Sequence, residues 1–162
     1  MDVLINYYLG ETLPKPNKEA NQAGILIGIC TTSDEKAAKA ISTKYLSDIN
    51  FGFILAGDMV DKKKPDPAIY LLALQKSRLK PEECVVIEDS KNGVQAAKGA
   101  GIHALVTTNP YTEKEDLSGA EIILTCLGDP DGEKGKLVFS TKPTFTFDGV
   151  MHMQQIRDYF LN

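Results

Sequence analysis

Residues 84–101 read CVVIEDSKNGVQAAKGAG, and their pattern decides the fold. Residues 84–87 (CVVI) are an unbroken apolar run, predicted as a buried strand. Two carboxylates and a serine, Glu88, Asp89 and Ser90, follow at once. Residues 91–100 then carry helical spacing, with Gly99 and Gly101 flanking the end as ordinary C-terminal glycines. Asp89 or Ser90 can cap that helix. Gly93, early in it, lowers its propensity and suggests close approach of something to the backbone.

Working outward, the same alternation recurs. Residues 25–30 (ILIGIC), 51–56 (FGFILA), 102–106 (IHALV) and 121–127 (EIILTCL) are predicted strands. Residues 34–47 and 67–76 are predicted helices, with a short helix around 113–117. Apolar strands separated by helices predict an α/β fold, an open parallel sheet covered by helices on both faces. The ends read differently. Residues 1–24 contain LPKP and read as a linker leading into a short helix. Residues 25–127 form the core. Residues 128–162 are a Gly-, Pro-, Asp- and Lys-rich loop, with a short apolar piece at 137–139 and a closing helix over 150–161.

The 162 residues suffice for one domain with a real core. Eighteen basic against 22 acidic side chains leave a net charge of −4, which points away from a nucleic-acid partner. No apolar run approaches the ~20 residues that cross a bilayer. No basic region precedes the first apolar residues, so no signal peptide is expected. Cys30, Cys84 and Cys126 are odd in number, far apart and in or beside apolar runs. They read as reduced thiols in a soluble protein of a reducing compartment. His103 and His152 do not complete a zinc site with them.

In an open α/β sheet, ligands bind beyond the carboxyl ends of the strands. Thr31, Thr32 and Ser33 follow the first core strand and open into a helix, where free N–H groups and the helix dipole favour phosphate. Thr32 and Glu35 also fit a capping box, which is the simpler use of these residues. After the second strand comes DKKKPDP, where Asp66 can cap a helix whose first residue is Pro67. Lys64, stiffened by Pro65, can neutralise a phosphate, whereas Lys62 and Lys63 read as solvated. After the strand at 84–87, Glu88 and Asp89 repel one another, and a hard cation relieves that. Mg²⁺ characteristically takes one or two protein carboxylates, with water and phosphate oxygens completing its shell.

In this order, on successive strand ends, these motifs resemble the haloacid-dehalogenase-like hydrolase superfamily over roughly residues 13–138. The stretches AGDMVDKKKPDPAIYLLAL and VVIEDSKNGVQAAKGAGI resemble the branch holding β-phosphoglucomutase and sugar-phosphate phosphatases. PYTEKEDLSGAEIILTCLGDP is similar to xylulose-1,5-bisphosphate phosphatases of photosynthetic organisms. The resemblance implies that Thr31 binds phosphate, with the backbone of Thr32 and Ser33. It implies that Lys64 stabilises the nucleophile and the transferring group, and that Glu88 and Asp89 face Mg²⁺. The implied substrate is a small phosphorylated metabolite. A monomer in the cytoplasm or plastid stroma goes with this reading.

The family's Asp-x-Asp-Gly-Thr, whose first aspartate attacks phosphorus, has no match before Thr31. Asn6 follows the apolar VLI, but Tyr8 and Leu9 stand where the second Asp and the Gly would be. Most of the helical cap is also absent, and LPKPNKEANQAGI resembles only the segment returning from it. The chain is therefore expected to be a truncated part of a phosphatase. A non-catalytic phosphate-binding module and a phosphoglucomutase-like isomerase are the alternatives. Without the nucleophile strand, a defect is expected in the middle of the sheet unless residues 3–6 substitute for it. Asp129-Pro130-Asp131-Gly132 imitates the missing motif after a strand expected at the sheet edge, and reads as a turn.

Overall fold

The computed structural model describes the backbone of residues 2–5 and residues 23–160. Among the described residues there are seven strands: β1 Asp2–Ile5, β2 Ile27–Cys30, β3 Phe53–Leu55, β4 Cys84–Glu88, β5 His103–Thr107, β6 Ile122–Leu124 and β7 Leu137–Ser140. The helices are α1 Glu35–Tyr45, α2 Ala68–Ser77, α3 Lys91–Gly99 and α4 Met153–Phe160. All strands join one sheet in the order β3-β2-β1-β4-β5-β6-β7. Pairing is parallel from β3 through β6, and antiparallel between β6 and β7. This is the open, helix-flanked parallel sheet that the apolar runs predict, with one antiparallel edge added.

Period-two alternation divides the core. On β4, Val85 and Ile87 pack with Ile27, Leu105, Ile122, Met151 and Ile156. Cys84 and Val86 face the other way, among Ile69, Tyr70 and Ala73 of α2 and Ala96 and Ala97 of α3. Every residue of β4 is buried, as expected of a central strand with both faces covered.

The middle of the sheet is filled. Within the stretch read as linker, Asp2–Ile5 forms β1, and Ile5 is level with Ile29 on one side and Ile87 on the other. The apolar run at residues 3–5 thus takes the place between β2 and β4, where unpaired backbone groups would otherwise be left. Asn6, Tyr8 and Leu9 lie outside the described residues, as does the short helix expected before residue 24.

Three local expectations are corrected. The short helix around 113–117 is a run of turns, in which Thr112 N and Glu113 N both donate to the Asn109 carbonyl. β6 is not the sheet edge, because the apolar piece at 137–139 continues the sheet as β7. The N-cap of α1 is Asp34, whose Oδ1 accepts from Ala37 N at 3.0 Å. Thr32 therefore has no capping duty. The Asp129–Gly132 segment does turn: Asp131 N donates to Asp129 Oδ1 at 2.9 Å and Gly132 N to Asp129 O at 3.2 Å. It follows β6, which β5 separates from β4. Cys30 and Cys84 are buried free thiols, and Cys126 is free and half-buried. Among the described residues no helix is long and apolar enough to cross a membrane.

Candidate active site

The chain runs outward from β1 to β3 on one side and from β4 to β6 on the other. The crevice where the order reverses, at the carboxyl ends of the strands, is the expected ligand site of such a sheet. Thr31, Thr32 and Ser33 leave β2 there. Thr31 N donates to Leu55 O at 2.9 Å, and Gly57 N donates to Ser33 O at 2.8 Å. Ser33 N donates to Thr31 Oγ1 at 3.2 Å. The loop is thereby tied to the end of β3, just ahead of α1, where Glu35 N donates to Asp58 Oδ2 at 3.4 Å and Ala37 N to Asp34 Oδ1 at 3.0 Å.

Lys64 enters from the loop after β3. Its side chain is only 3% exposed, and that of Glu88 is fully buried. The Lys64 ammonium donates to Glu88 Oε1 at 2.6 Å, to Tyr70 Oη at 3.0 Å and to the Cys30 carbonyl at 3.0 Å. The Tyr70 hydroxyl in turn donates to Glu88 Oε1. Glu88 shares the face of Cys84 and Val86 by strand alternation, so its carboxylate points into the layer of α2 and α3. Gly93 makes that possible. A Cβ on Gly93 would stand 1.8 Å from Glu88 Oε2. The close approach inferred from the sequence is thus that of Glu88 itself. Ser90 caps α3, accepting from Gly93 N at 3.3 Å. On α2, Asp66 Oδ1 accepts from Ala68 N at 3.0 Å, and the helix begins one residue beyond the expected Pro67.

Glu88 therefore already has a cation, and Asp89 is the carboxylate facing the cleft. Burial, and then the charge of Glu88, push the Asp89 carboxyl up to about 6, with Lys64 pulling the other way. Burial, with the Glu88 charge second, raises the Tyr70 hydroxyl well above its ordinary value. Asn109, just past β5, donates from Nδ2 to Asp89 Oδ2 at 3.3 Å. Its Oδ1 accepts from Tyr111 N and Thr112 N at 2.9 and 3.1 Å.

A cleft of about 580 Å³ brings Thr31, Thr32, Ser33, Lys64 and Asp89 together, with Asn109 on its wall. Glu88 lies beneath it and is not part of its lining. Such a cleft offers hydroxyls, backbone N–H groups and a fixed cation to an anion, and a carboxylate to a metal. No cluster of three or more His, Cys, Asp or Glu that could hold a metal exists among the described residues. Sequence reading missed Asn109 and Tyr70. Asn109 carried a usable signal, being a polar residue directly after a strand. Tyr70 carries no sequence signal that sets it apart within its helix.

The chain is 43% identical over 142 residues to a CBBY-like protein of Arabidopsis thaliana, covering 85% of this chain and 44% of that one. It superposes on the crystal structure of CbbY from Rhodobacter sphaeroides in complex with phosphate, with a TM-score of 0.63 and 40% identity, over 67% of this chain and 50% of that one. A mutant of that CbbY in complex with xylulose-(1,5)bisphosphate matches equally well, with TM-score 0.63, 40% identity and the same coverage. The chain spans about half the length of these relatives. The family model for haloacid dehalogenase-like hydrolase matches residues 17–101. That match runs through the ends of β2, β3 and β4, where the cleft is built, and the chain belongs to the haloacid dehalogenase-like hydrolases.

Proposed function

We propose that this chain carries the phosphate- and metal-binding half of a Mg²⁺-dependent phosphatase acting on small phosphorylated sugars. The observation that carries the reading is the meeting of Thr31–Ser33, Lys64 and Asp89 in one cleft at the carboxyl edge of the sheet. The phosphorylated sugar bound by the similar CbbY structure supports the substrate class. The Thr31 hydroxyl and the Thr32 N–H would take phosphoryl oxygens, the Ser33 N–H would join them on releasing Thr31 Oγ1, and Lys64 would offset their charge. The free, mostly buried cysteines fit a reducing compartment, cytoplasm or plastid stroma.

The donor set fits Mg²⁺ in part. Asp89 carries a carboxyl group that burial and a neighbouring negative charge disfavour as an anion, a mismatch that a cation relieves. Asp89 would hold the ion, while Glu88 acts one step back by holding Lys64. Bound there, Mg²⁺ would supply Lewis-acid stabilisation of phosphoryl oxygens. The described cleft contains no second carboxylate placed to attack phosphorus or to activate water. The same observation favours a second reading, a phosphate-binding module without turnover.

Phosphate release from a panel of sugar phosphates with Mg²⁺ tests the proposal. The chain should bind the sugar phosphates, lose that binding in Lys64→Ala, and release no phosphate. Release by the wild type would contradict the absence of an attacking group in the cleft, and Mg²⁺-dependent sugar-phosphate binding that survives in Asp89→Asn would contradict the assignment of Asp89.

A further inference from the structure

An ammonium group has three hydrogens to donate. In Lys64 each has a protein acceptor within 3.0 Å: Glu88 Oε1, Tyr70 Oη and the Cys30 carbonyl. The residue placed to meet phosphate thus has no N–H left for it, and one of the three bonds must open when an anion enters. The three differ in what opening leaves behind. Releasing Glu88 would strip a buried carboxylate of its one ion-pair partner among the described residues. Releasing the carbonyl would loosen Lys64 from the end of β2, next to the Thr31 loop. Tyr70 Oη is neutral and keeps its own donated bond to Glu88 Oε1 after Lys64 turns away. It loses one accepted bond and orphans no donor.

We propose that Tyr70 is a positioning residue for Lys64, its hydroxyl holding one ammonium N–H in the ligand-free protein and yielding that N–H to a phosphoryl oxygen. Tyr70 never touches the ligand, being completely buried below the cleft. It fixes the direction of the lysine and sets how readily the lysine turns to the anion. The proposal rests on the reading of the cleft as a phosphate site, and the test separates the two.

The full chain, with ¹³C-labelled tyrosine and ¹⁵N-labelled lysine, is titrated with inorganic phosphate. In the wild type, the Tyr70 Cζ and Lys64 Nζ signals should move together as phosphate binds. Tyr70→Phe leaves one ammonium hydrogen open beforehand and should bind phosphate about fivefold tighter, the worth of one ordinary net hydrogen bond. A merely structural tyrosine gives weaker or unchanged binding. Absence of phosphate binding in the wild type, or undiminished binding in Lys64→Ala, overturns the phosphate reading and this proposal with it. Where Lys64 is required, a Tyr70 Cζ that stays put in the wild type, or no tightening in a folded Tyr70→Phe, overturns the role of Tyr70 alone. The wild-type spectrum decides if that variant fails to fold.

Discussion

Glu88 shows how one residue's meaning depends on its neighbours. Beside Asp89 in sequence it reads as half of a metal-binding pair. In the fold it is buried against Lys64, Tyr70 and the bare backbone of Gly93. Strand alternation could have placed it on the α2–α3 face, but nothing local names its partner 24 residues away. Lys64 and Asp89 were legible because both follow strands, where a parallel sheet presents polar groups. Removing the charge of Glu88 leaves the Lys64 ammonium buried and uncompensated. Glu88→Gln should therefore cost about 3–5 kcal/mol in denaturant unfolding. Asp89→Asn should act oppositely. The folded protein holds the Asp89 proton up to about pH 6, above the ~3.9 of an unfolded aspartate. Between those values the native state binds more protons than the unfolded state, so stability falls as pH rises, and above pH 6 the ionised carboxylate is a standing cost. Without divalent cations, Asp89→Asn should be more stable than the wild type at pH 7.5, by roughly 1–2 kcal/mol after allowing for solvent screening. The two should converge near pH 4.

Elements were legible where composition alone makes them. β4 and α3 were read almost to the residue. β2, β3 and β6 came out shorter than their apolar runs, since pairing with a neighbouring strand, not hydrophobicity, sets where a strand stops. The turns after Asn109 were misread as a helix because a side chain took over the backbone's bonds: Asn109 Oδ1 accepts from two successive N–H groups. Residues 3–5 lack any flanking motif that fixes their place, so in sequence they fit only as a substitute for a missing strand. The parallel pairing of β1 with both β2 and β4 makes it central. Leu4→Pro would remove a ladder donor between them, and the chain should lose its cooperative unfolding transition by circular dichroism. At the antiparallel edge, Val138 is 59% exposed. Val138→Lys should leave stability within about 0.5 kcal/mol. Equal tolerance of both substitutions would contradict the placement of β1.

At the scale of the molecule, the sheet divides two apolar layers, and its carboxyl edge carries the chemistry. A different cavity, about 700 Å³, runs along the β5–β6 side, from His103 and Glu121 at the amino ends of those strands to Thr108 and Glu113 past β5. There His103 Nδ1 and Glu121 Oε1 lie 2.9 Å apart. The division into ends was legible because chain direction follows from the parallel order. What the sequence withheld was which polar groups are spent inside the fold, such as Glu88 and Tyr70, and which face the cleft, such as Asp89 and Asn109. The central claim, that the cleft after β2, β3 and β4 is the phosphate site, is tested most directly by mapping backbone amide shifts. The full chain would be titrated with inorganic phosphate and Mg²⁺. The largest movements are predicted at Thr31, Thr32 and Ser33 and at Asp89 and Ser90, and they should vanish in Lys64→Ala. Movements centred on His103 and Glu121 at the other end, or an unchanged map in Lys64→Ala, would contradict it.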